Sequence, residues 1–574
     1  MGEWDPKPVA MQVDSALEST QHGKTADFLA QILKPARRPA AIHTSTKTTT
    51  PADSSNLPVP ISKSSQSPPK QDSVQPLAGS VMSSPGSGAA VPRTDSPPHF
   101  VLVPMFAAGH AGPMLDMARA LAGRGALVTF VTTPLNLPRL GRAAGDDALP
   151  IRFLPLRFPC AEAGLPDGCE TPDALPGLAY LKNFHDACAL LRAPLVAHLR
   201  DATTPPASCV VSDTCQPWTG AMARELGVPR LALDTFCAFS SFCMRLMSIH
   251  SVFDGIDDDK LPVRVPGFPI DLEMSRAQSP GNFSGFGKVF ADEVMAENAR
   301  ADGLVINSFA ELEPVFVDAY EAALGKKIWT VGPLFLLHTM PPATTAITGT
   351  DDASAARCVR WLDSQKPRSV VLVSFGSLAR TPLPQLVEIA RGLEASGRPF
   401  IWAVKPSSLA EFERWLSGDG FELRAGERGL VVTGWAPQRA ILSHPAAGGF
   451  VTHCGWNSVL ECVAAGLPMA TWPHFAEQFM NEKLAVDVLR VGVPVGVKDA
   501  ARWGGVVEAV VATRGDVERA VAAVMDGGEE GAARRARAAE LGRKARDAVA
   551  RGGSSDRNVA RLVRHVLEPK KSTA

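Results

Sequence analysis

Residues 435–478 read WAPQRAILSHPAAGGFVTHCGWNSVLECVAAGLPMATWPHFAEQ. Within this stretch an apolar run, Gly449-Phe450-Val451-Thr452, stops at His453-Cys454-Gly455-Trp456-Asn457-Ser458, and apolar residues at helical spacing follow. A strand that ends in a glycine-containing turn and opens into a helix exposes free backbone N–H groups and the positive end of the helix dipole, a seat for an anion. A His, an Asn and a Ser at the same step can each hydrogen-bond phosphate oxygens. Ser458-Val459-Leu460-Glu461 also fits the S-x-x-E capping box, so a structural reading is open for both of its ends.

The same alternation runs outward on both sides. Upstream, Ser369 to Ser374 reads as a strand ending in Phe375-Gly376-Ser377, and further strands are expected near 400–404, 429–433, 448–451 and 468–470, separated by helical stretches. A second set begins at His99. Phe100 to Pro104 is a continuous apolar run of the kind a buried parallel strand shows; a loop Met105–Pro113, a helix Met114–Leu121 and a strand Ala126–Thr132 complete a βαβ unit. More strands are expected at 209–211, 230–233 and 303–307. The pattern predicts an α/β chain of two doubly wound, Rossmann-like domains. The boundaries read as a low-complexity extension 1–98, a first domain 99–340, a Pro/Thr/Ala/Gly/Asp linker 341–357, a second domain 358–555, and a last helix with tail, 556–574.

Composition narrows the class. A chain of 574 residues exceeds one core, and 45% hydrophobic with 20% charged residues is that of a globular protein. The net charge of −1 argues against a nucleic-acid partner or a polybasic membrane contact. No apolar run approaches the length of a membrane span; the best window, Leu231 to Ile249, is broken by Asp234 and Arg245. The start, Met1-Gly2-Glu3-Trp4-Asp5, has neither a basic region nor an apolar core, so no secretory signal is expected. The ten cysteines are scattered with no CxxC pair and read as reduced thiols of a cytoplasmic protein. Thr44 to Pro98, rich in Ser, Thr, Pro, Ala and Gly, cannot bury enough apolar surface to offset chain entropy and is expected to be disordered, with a short helical turn possible at Asp27–Leu33. A Ser-rich plastid transit peptide is the alternative, weakened by the early acidic residues; a mis-assigned translation start is another.

Two further residues carry possible chemistry. His110 lies after the first strand of its βαβ unit, where open α/β sheets form their ligand crevice, and a neutral imidazole there can take a proton; on the residues alone, a His beside two glycines is more often just a loop residue. Asp213 follows the run Cys209–Ser212 and could simply cap the helix Trp218–Leu226. Asp257-Asp258-Asp259 has a metal-type DxD spacing but reads as a solvated charge run, as does the helical Arg/Glu/Ala stretch Glu529–Arg551. Neither GxGxxG at the first βαβ unit nor GxSxG anywhere is present, which disfavours a dehydrogenase and an α/β-hydrolase.

Taken whole, Trp435–Gln478 resembles, without a gap, the sugar-nucleotide box of plant secondary-product UDP-glycosyltransferases, and the resemblance runs from about residue 99 to the end. It implies the GT-B arrangement, with an acceptor-binding first domain, a nucleotide-sugar second domain, a cleft between them and a last helix crossing back onto the first. His110 then falls on the general base and Asp213 on the residue that orients it. Within the box, with Gly455 and Ala436 among its binding positions, Trp435 would stack on uracil and Gln438 and Glu461 would contact ribose. His453, Asn457, Ser458 and, from the neighbouring strand end, Ser377 would contact the diphosphate, and Glu477 and Gln478 would read the sugar hydroxyls. Gln478 and Trp456 match glucose users rather than galactose or glucuronate users. The implied function is an inverting, metal-free O-glucosyltransferase using UDP-glucose, with no resident cofactor, making a β-glucoside of a small lipophilic acceptor and acting as a monomer. Met105, Phe106, 240–247 and 267–286 would shape the acceptor pocket. The segments 307–313 and Trp503-Gly504 look most like the subgroup acting on flavonoids, triterpenoids and steroids. A galactosyl- or glucuronosyltransferase and a non-catalytic UDP-sugar binder are the competing readings.

Overall fold

The computed structural model describes residues 97–141, 149–281, 285–337, 350–498, 500 and 510–568. All of them fall in one of the two compact units into which the chain divides; the other, Lys34–Ser96, lies outside them. The expectations for Asp27–Leu33 and Thr44–Ser96, and for Trp503-Gly504, therefore lie outside the described residues.

Two parallel sheets organise the chain. The first is seven-stranded, in the order β3-β2-β1-β4-β5-β8-β9. Its strands are β1 His99–Val103, β2 Leu127–Thr132, β3 Ile151–Pro155, β4 Cys209–Asp213, β5 Arg230–Asp234, β8 Gly303–Ile306 and β9 Ile328–Thr330. A two-stranded hairpin, β6 Val263–Arg264 with β7 Glu273–Met274, stands apart from it. The second sheet is six-stranded, β12-β11-β10-β13-β14-β15, built from β10 Val370–Ser374, β11 Phe400–Val404, β12 Gly429–Thr433, β13 Ala447–Thr452, β14 Met469–Thr471 and β15 Gly492–Pro494.

All strands of both large sheets pair in parallel. Helices cover both faces, so β1, β4, β5, β11 and β13 are buried from end to end, which is why they read as apolar runs rather than alternations. In each sheet the strand order reverses at one point, between β1 and β4 and between β10 and β13. A ligand crevice forms beyond the carboxyl ends of strands at such a switch point. The two-sheet α/β expectation holds, and with it the GT-B class.

Local differences from the sequence reading have physical causes. Helix α1 spans Ala108–Ala122 rather than beginning at Met114, so His110 sits in a first helical turn and not in a loop. Gly109, Gly112 and Pro113 are poor helix formers, but packing onto the sheet overrides that preference. Helix α2 (Trp218–Leu226) starts from Pro217, so Asp213 is not its cap. Helix α3 (Ala238–Ile249) supplies the apolar half of the window Leu231–Ile249, whose first half is β5. Its N-terminus is closed by a remote carboxylate: Glu313, buried, accepts from the N–H groups of Ala238 (3.1 Å) and Phe239 (2.8 Å). Helix α4 (Thr350–Asp363) takes up the end of the stretch whose composition reads as linker.

Two helices after β13 bear on the site: α5 (Trp456–Ala465) and α6 (Gln478–Lys483). The last, α7 (Ser554–Leu567), lays Val559 and Leu562 into the same core cluster as Phe100 and Leu102 of β1. Asn558 Nδ2 donates to the Thr330 carbonyl at 2.9 Å. The ten cysteines are all unpaired. No described helix is long and apolar enough to cross a membrane.

Candidate functional site

A cavity of about 1610 Å³ opens where the carboxyl edges of the two sheets meet. The first sheet contributes the turn after β1, the ends of β4 and β5, and one face of α3; the second contributes the turns after β10, β11, β12 and β13.

On the first side, His110 Nδ1 lies 2.8 Å from Asp213 Oδ2 and 3.0 Å from Thr235 Oγ1. Asp213 is fully buried, and its other oxygen accepts from the Cys215 N–H at 2.8 Å, which fixes the carboxylate. With Nδ1 carrying the proton toward Asp213, Nε2 is left as a lone-pair acceptor. The Phe236 ring packs edge-on against the imidazole at 6.0 Å. Burial alone would lower the pKa of His110; the charge and hydrogen bond of Asp213, with Glu477 and Asp234 behind them, outweigh that and hold it above its ordinary value. Asp234 is pushed up to about 6 by burial, although Ser241 Oγ and the Phe236 N–H donate to it.

On the second side, α5 begins from Gly455, with no side chain capping it. The S-x-x-E pattern is therefore not a capping box. Ser458 lies inside the first turn, and Gln438 Nε2 donates both to Ser458 Oγ (3.0 Å) and to Glu461 Oε2 (2.8 Å), tying three of the expected residues together. Burial raises the Glu461 carboxyl, with Arg439 and Gln438 opposing it. Trp435 is 51% exposed on the cavity wall beside half-buried Ala436, which excludes a core role.

His453 is wedged between Gly376 and Gly455, and burial, with His474 adding to it, lowers its pKa to about 3, so the ring is neutral. Its Nδ1 is buried with no partner among the described residues. Ser377 is exposed at the rim, its carbonyl 3.4 Å from Lys405 Nζ.

Helix α6 carries the two box-closing residues at its start. Glu477, its carboxyl raised by burial, accepts from the Trp456 N–H (3.4 Å) and Asn481 Nδ2 (3.1 Å). Gln478 Oε1 accepts from the N–H groups of His474 (2.8 Å) and Phe475 (3.1 Å), which leaves the side-chain NH2 free of those contacts. The Trp456 indole is almost wholly buried and donates to the Asn307 carbonyl at 2.8 Å, so this side chain ties the second sheet's box to the first sheet.

Three interactions at the site escape sequence reading. Asn457 Nδ2 donates to the Gly109 carbonyl at 2.7 Å, across the two halves. That carbonyl is available because the residue four positions on is Pro113, which has no N–H to close the helical turn. Asn481, fully buried, also joins the halves: it accepts from Ser240 Oγ (2.7 Å) and Cys237 Sγ (3.3 Å) while donating to the Cys454 carbonyl (2.8 Å) and to Glu477. Thr235 on His110 is the third, within the first half. It could have been suspected from its place just past a strand end; Asn481 carried no such signal.

The acceptor side also departs from expectation. Met105 lines the cavity, but Phe106 turns away and packs edge-on against Phe158 at 5.9 Å. Met244 from the expected 240–247 segment and Ala277 and Pro280 from 267–286 also line the cavity, and Phe236, Phe290 and Leu324, which the sequence reading did not name, add to the apolar wall. The DxD stretch is occupied locally: Asp258 accepts from the Lys260 N–H at 2.9 Å and Asp259 pairs with Arg276 at 2.8 Å. Among the described residues one trio of metal-type donors comes together, His110, Asp213 and Cys215, within 4.8 Å of one another.

Comparison with known proteins agrees with the fold. Residues 99–336 match the family "Glycosyltransferase, N-terminal domain" and residues 315–527 match "UDP-glucoronosyl and UDP-glucosyl transferase". UDP-glycosyltransferase 73E1 of Stevia rebaudiana is 41% identical over 493 residues, covering 83% of this chain and 98% of that protein. UDP-glycosyltransferase 73D1 of Arabidopsis thaliana is 40% identical over 82% of this chain and 97% of its own. The crystal structure of Glycyrrhiza uralensis UGT73P12 complexed with glycyrrhetinic acid 3-O-monoglucuronide superposes with a TM-score of 0.73 at 34% identity, covering 82% of this chain and 96% of that one. A transferase from Siraitia grosvenorii in complex with UDP superposes with a TM-score of 0.64 at 28% identity, over 82% of this chain and all of that one, 100%.

Proposed function

This chain belongs to the plant UDP-glycosyltransferase family, and from that premise we propose that it transfers glucose from UDP-glucose, with inversion, to a hydroxyl of a small lipophilic metabolite. The observation that carries the reading is the His110–Asp213 pair at 2.8 Å, facing the start of α5 and linked to it by the Asn457–Gly109 bond of 2.7 Å.

In the proposed step His110 Nε2 accepts the proton of the acceptor hydroxyl as that oxygen bonds to the anomeric carbon of glucose. The bond from that carbon to the β-phosphate oxygen breaks on the opposite face, and UDP leaves with the electron pair. Attack and departure from opposite faces give the β-glucoside. Asp213 stabilises the imidazolium formed. The charge growing on UDP meets donors already aimed at it: the first N–H groups of α5, Asn457, Ser458 and the neutral imidazole of His453, with Ser377 and the Lys405 ammonium at the rim. Such preorganised donors lower a barrier by several kcal/mol, on the order of 3 for one of them. Trp435 stacks on uracil, Gln438 and Glu461 hold the ribose, and Glu477 and Gln478 read the sugar. The test is UDP release by the wild-type enzyme across several UDP-sugars with phenolic, triterpenoid and steroid acceptors; silence with every donor would leave only a binder.

The pH dependence follows from the pair. His110 works as a base only when neutral, and, against the opposing effect of burial, Asp213 holds its pKa above the ordinary imidazole value. Thus kcat/KM rises with pH through a limb whose midpoint lies above that of an ordinary imidazole. Asp213→Asn removes the charge that raises the imidazole, so the midpoint moves to lower pH while the plateau falls by about 10²-fold or more. A pH profile of UDP release checks both; an unmoved midpoint would take Asp213 out of the proposal.

Donor choice gives a second check. Gln478 Oε1 is held by two backbone N–H groups, which orients its NH2. A His in its place cannot accept both. Gln478→His is expected to move the glucose-to-galactose ratio of kcat/KM by about tenfold toward galactose. An unchanged ratio would sever donor choice from this residue.

A further inference from the structure

Helix α3 buries Phe239, Phe242, Cys243, Leu246 and Met247 completely in the core and turns Ser241, Met244, Arg245 and Ser248 to the cavity. Those four occupy positions i, i+3, i+4 and i+7, one stripe of the helix. The stripe starts beside the catalytic pair: Ser241 Oγ donates to Asp234 at 2.6 Å, and the residue after Asp234, Thr235, lies 3.0 Å from His110 Nδ1. Arg245 stands one turn farther, about 6 Å along the axis.

This arginine is anomalous. It makes no hydrogen bond or ion pair among the described residues, and its Nε is sealed from solvent without a partner. The carboxylates on the cavity wall are committed elsewhere. Asp234 is held by Ser241 and Phe236, Asp259 by Arg276, Glu461 by Gln438 and Glu477 by Asn481. Asp173 lies by Lys405, on the donor side of the cleft. The charge of Arg245 acts on the buried Tyr320 hydroxyl, as does that of Asp234, and no carboxylate among the described residues lies within ion-pair distance of the guanidinium. A half-buried cation left without a counter-charge is costly, and a planar guanidinium matches a carboxylate with two parallel hydrogen bonds.

We propose that Arg245 forms an anion-recognition subsite in the acceptor cavity, and that acceptors of this enzyme carry a carboxylate on the order of 10 Å from the hydroxyl that receives the sugar. The inference rests on the glycosyl-transfer reading above and narrows its acceptor from lipophilic alcohols to lipophilic hydroxy acids. It also explains why an otherwise apolar helix keeps a charge facing the cavity.

The test compares two hydroxy acids built on rigid ring systems, lithocholic and glycyrrhetinic acid, with their methyl esters, each assayed by UDP release from UDP-glucose. A phenolic acceptor without a carboxylate, quercetin, serves as the control. The wild-type enzyme is expected to prefer acid to ester by about tenfold or more in kcat/KM, chiefly through KM. Arg245→Met should bring the acid-to-ester ratio to about one, and Arg245→Lys should retain part of it. Equal use of acid and ester by the wild type overturns the subsite, as does an Arg245→Met variant that is slower but keeps its ratio, the mark of a merely structural role. Turnover of quercetin with no turnover of either acid removes the subsite and leaves glycosyl transfer standing. No UDP release with any of the five acceptors overturns both.

Discussion

His110→Ala is expected to lower UDP release by about 10³-fold while leaving UDP binding and the melting temperature near those of the wild type. The separation of the two effects comes from where the residue stands. Its imidazole hangs from the first turn of α1, partly open to the cavity, and makes its hydrogen bonds to Asp213 and Thr235, both in the first half of the molecule. Removing it frees a buried Asp213 carboxylate oxygen, but the other oxygen keeps the Cys215 N–H. The proposed donor seat is built from the second sheet and is untouched. Loss of the base leaves the acceptor hydroxyl to attack with its proton still on, and only positioning and the charge stabilisation around UDP remain. Isothermal binding of UDP, a thermal melt and a UDP-release assay on one preparation measure the three quantities. Activity within tenfold of the wild type would mean that another group takes the proton, and the proposed mechanism would fail.

How legible this was depends on the scale of the interaction. Buried parallel strands announce themselves, because β1, β4 and β10 are apolar along most of their length, and the turn after β13 shows its glycine and its three hydrogen-bonding side chains in one short run. Both signals are local. The His110–Asp213 bond spans 103 residues, and nothing in the spacing of the chain declares it; only likeness to a family suggested it. Local patterns can also mislead. Ser458 and Glu461 satisfy the letters of a capping box, yet Gly455 occupies the cap and Gln438, twenty residues before Ser458, decides where both side chains go. The run Met105–Pro113 looks like a loop because glycine and proline resist helices, but Pro113 inside α1 is what frees the Gly109 carbonyl for Asn457. Arg245 appears in the sequence only as an interruption of an apolar window. Its meaning depends on which way one helix faces, which periodicity alone does not fix until the sheet beneath it is known.

The turn proposed to seat the diphosphate yields the other large effect. Gly455→Ala is expected to raise the KM for the UDP-sugar by about 10²-fold and to cost about 1–3 kcal/mol of stability. Backbone strain is not the cause, since φ at Gly455 is −60°, which alanine adopts freely. The cause is the neighbour. A Cβ at Gly455 would overlap His453 Nε2, and a Cβ at Gly376 would lie 2.7 Å from the same nitrogen. The imidazole thus fills the gap left by two missing side chains, with Nδ1 sealed behind it, and has no room to withdraw. The added methyl group must either push the ring toward the phosphates or lift the first turn of α5 away from them, and both displace fixed donors. The two consequences can be uncoupled by a second substitution. In the double variant His453→Ala/Gly455→Ala the clash is gone, so the melting temperature should recover toward that of His453→Ala alone. Donor affinity should not recover, because the imidazole N–H is absent and the turn still carries a methyl group where phosphate approaches. Recovery of both would show that the effect on the donor was an indirect result of instability. A Gly455→Ala enzyme with an ordinary KM for the UDP-sugar would move the diphosphate away from this turn altogether.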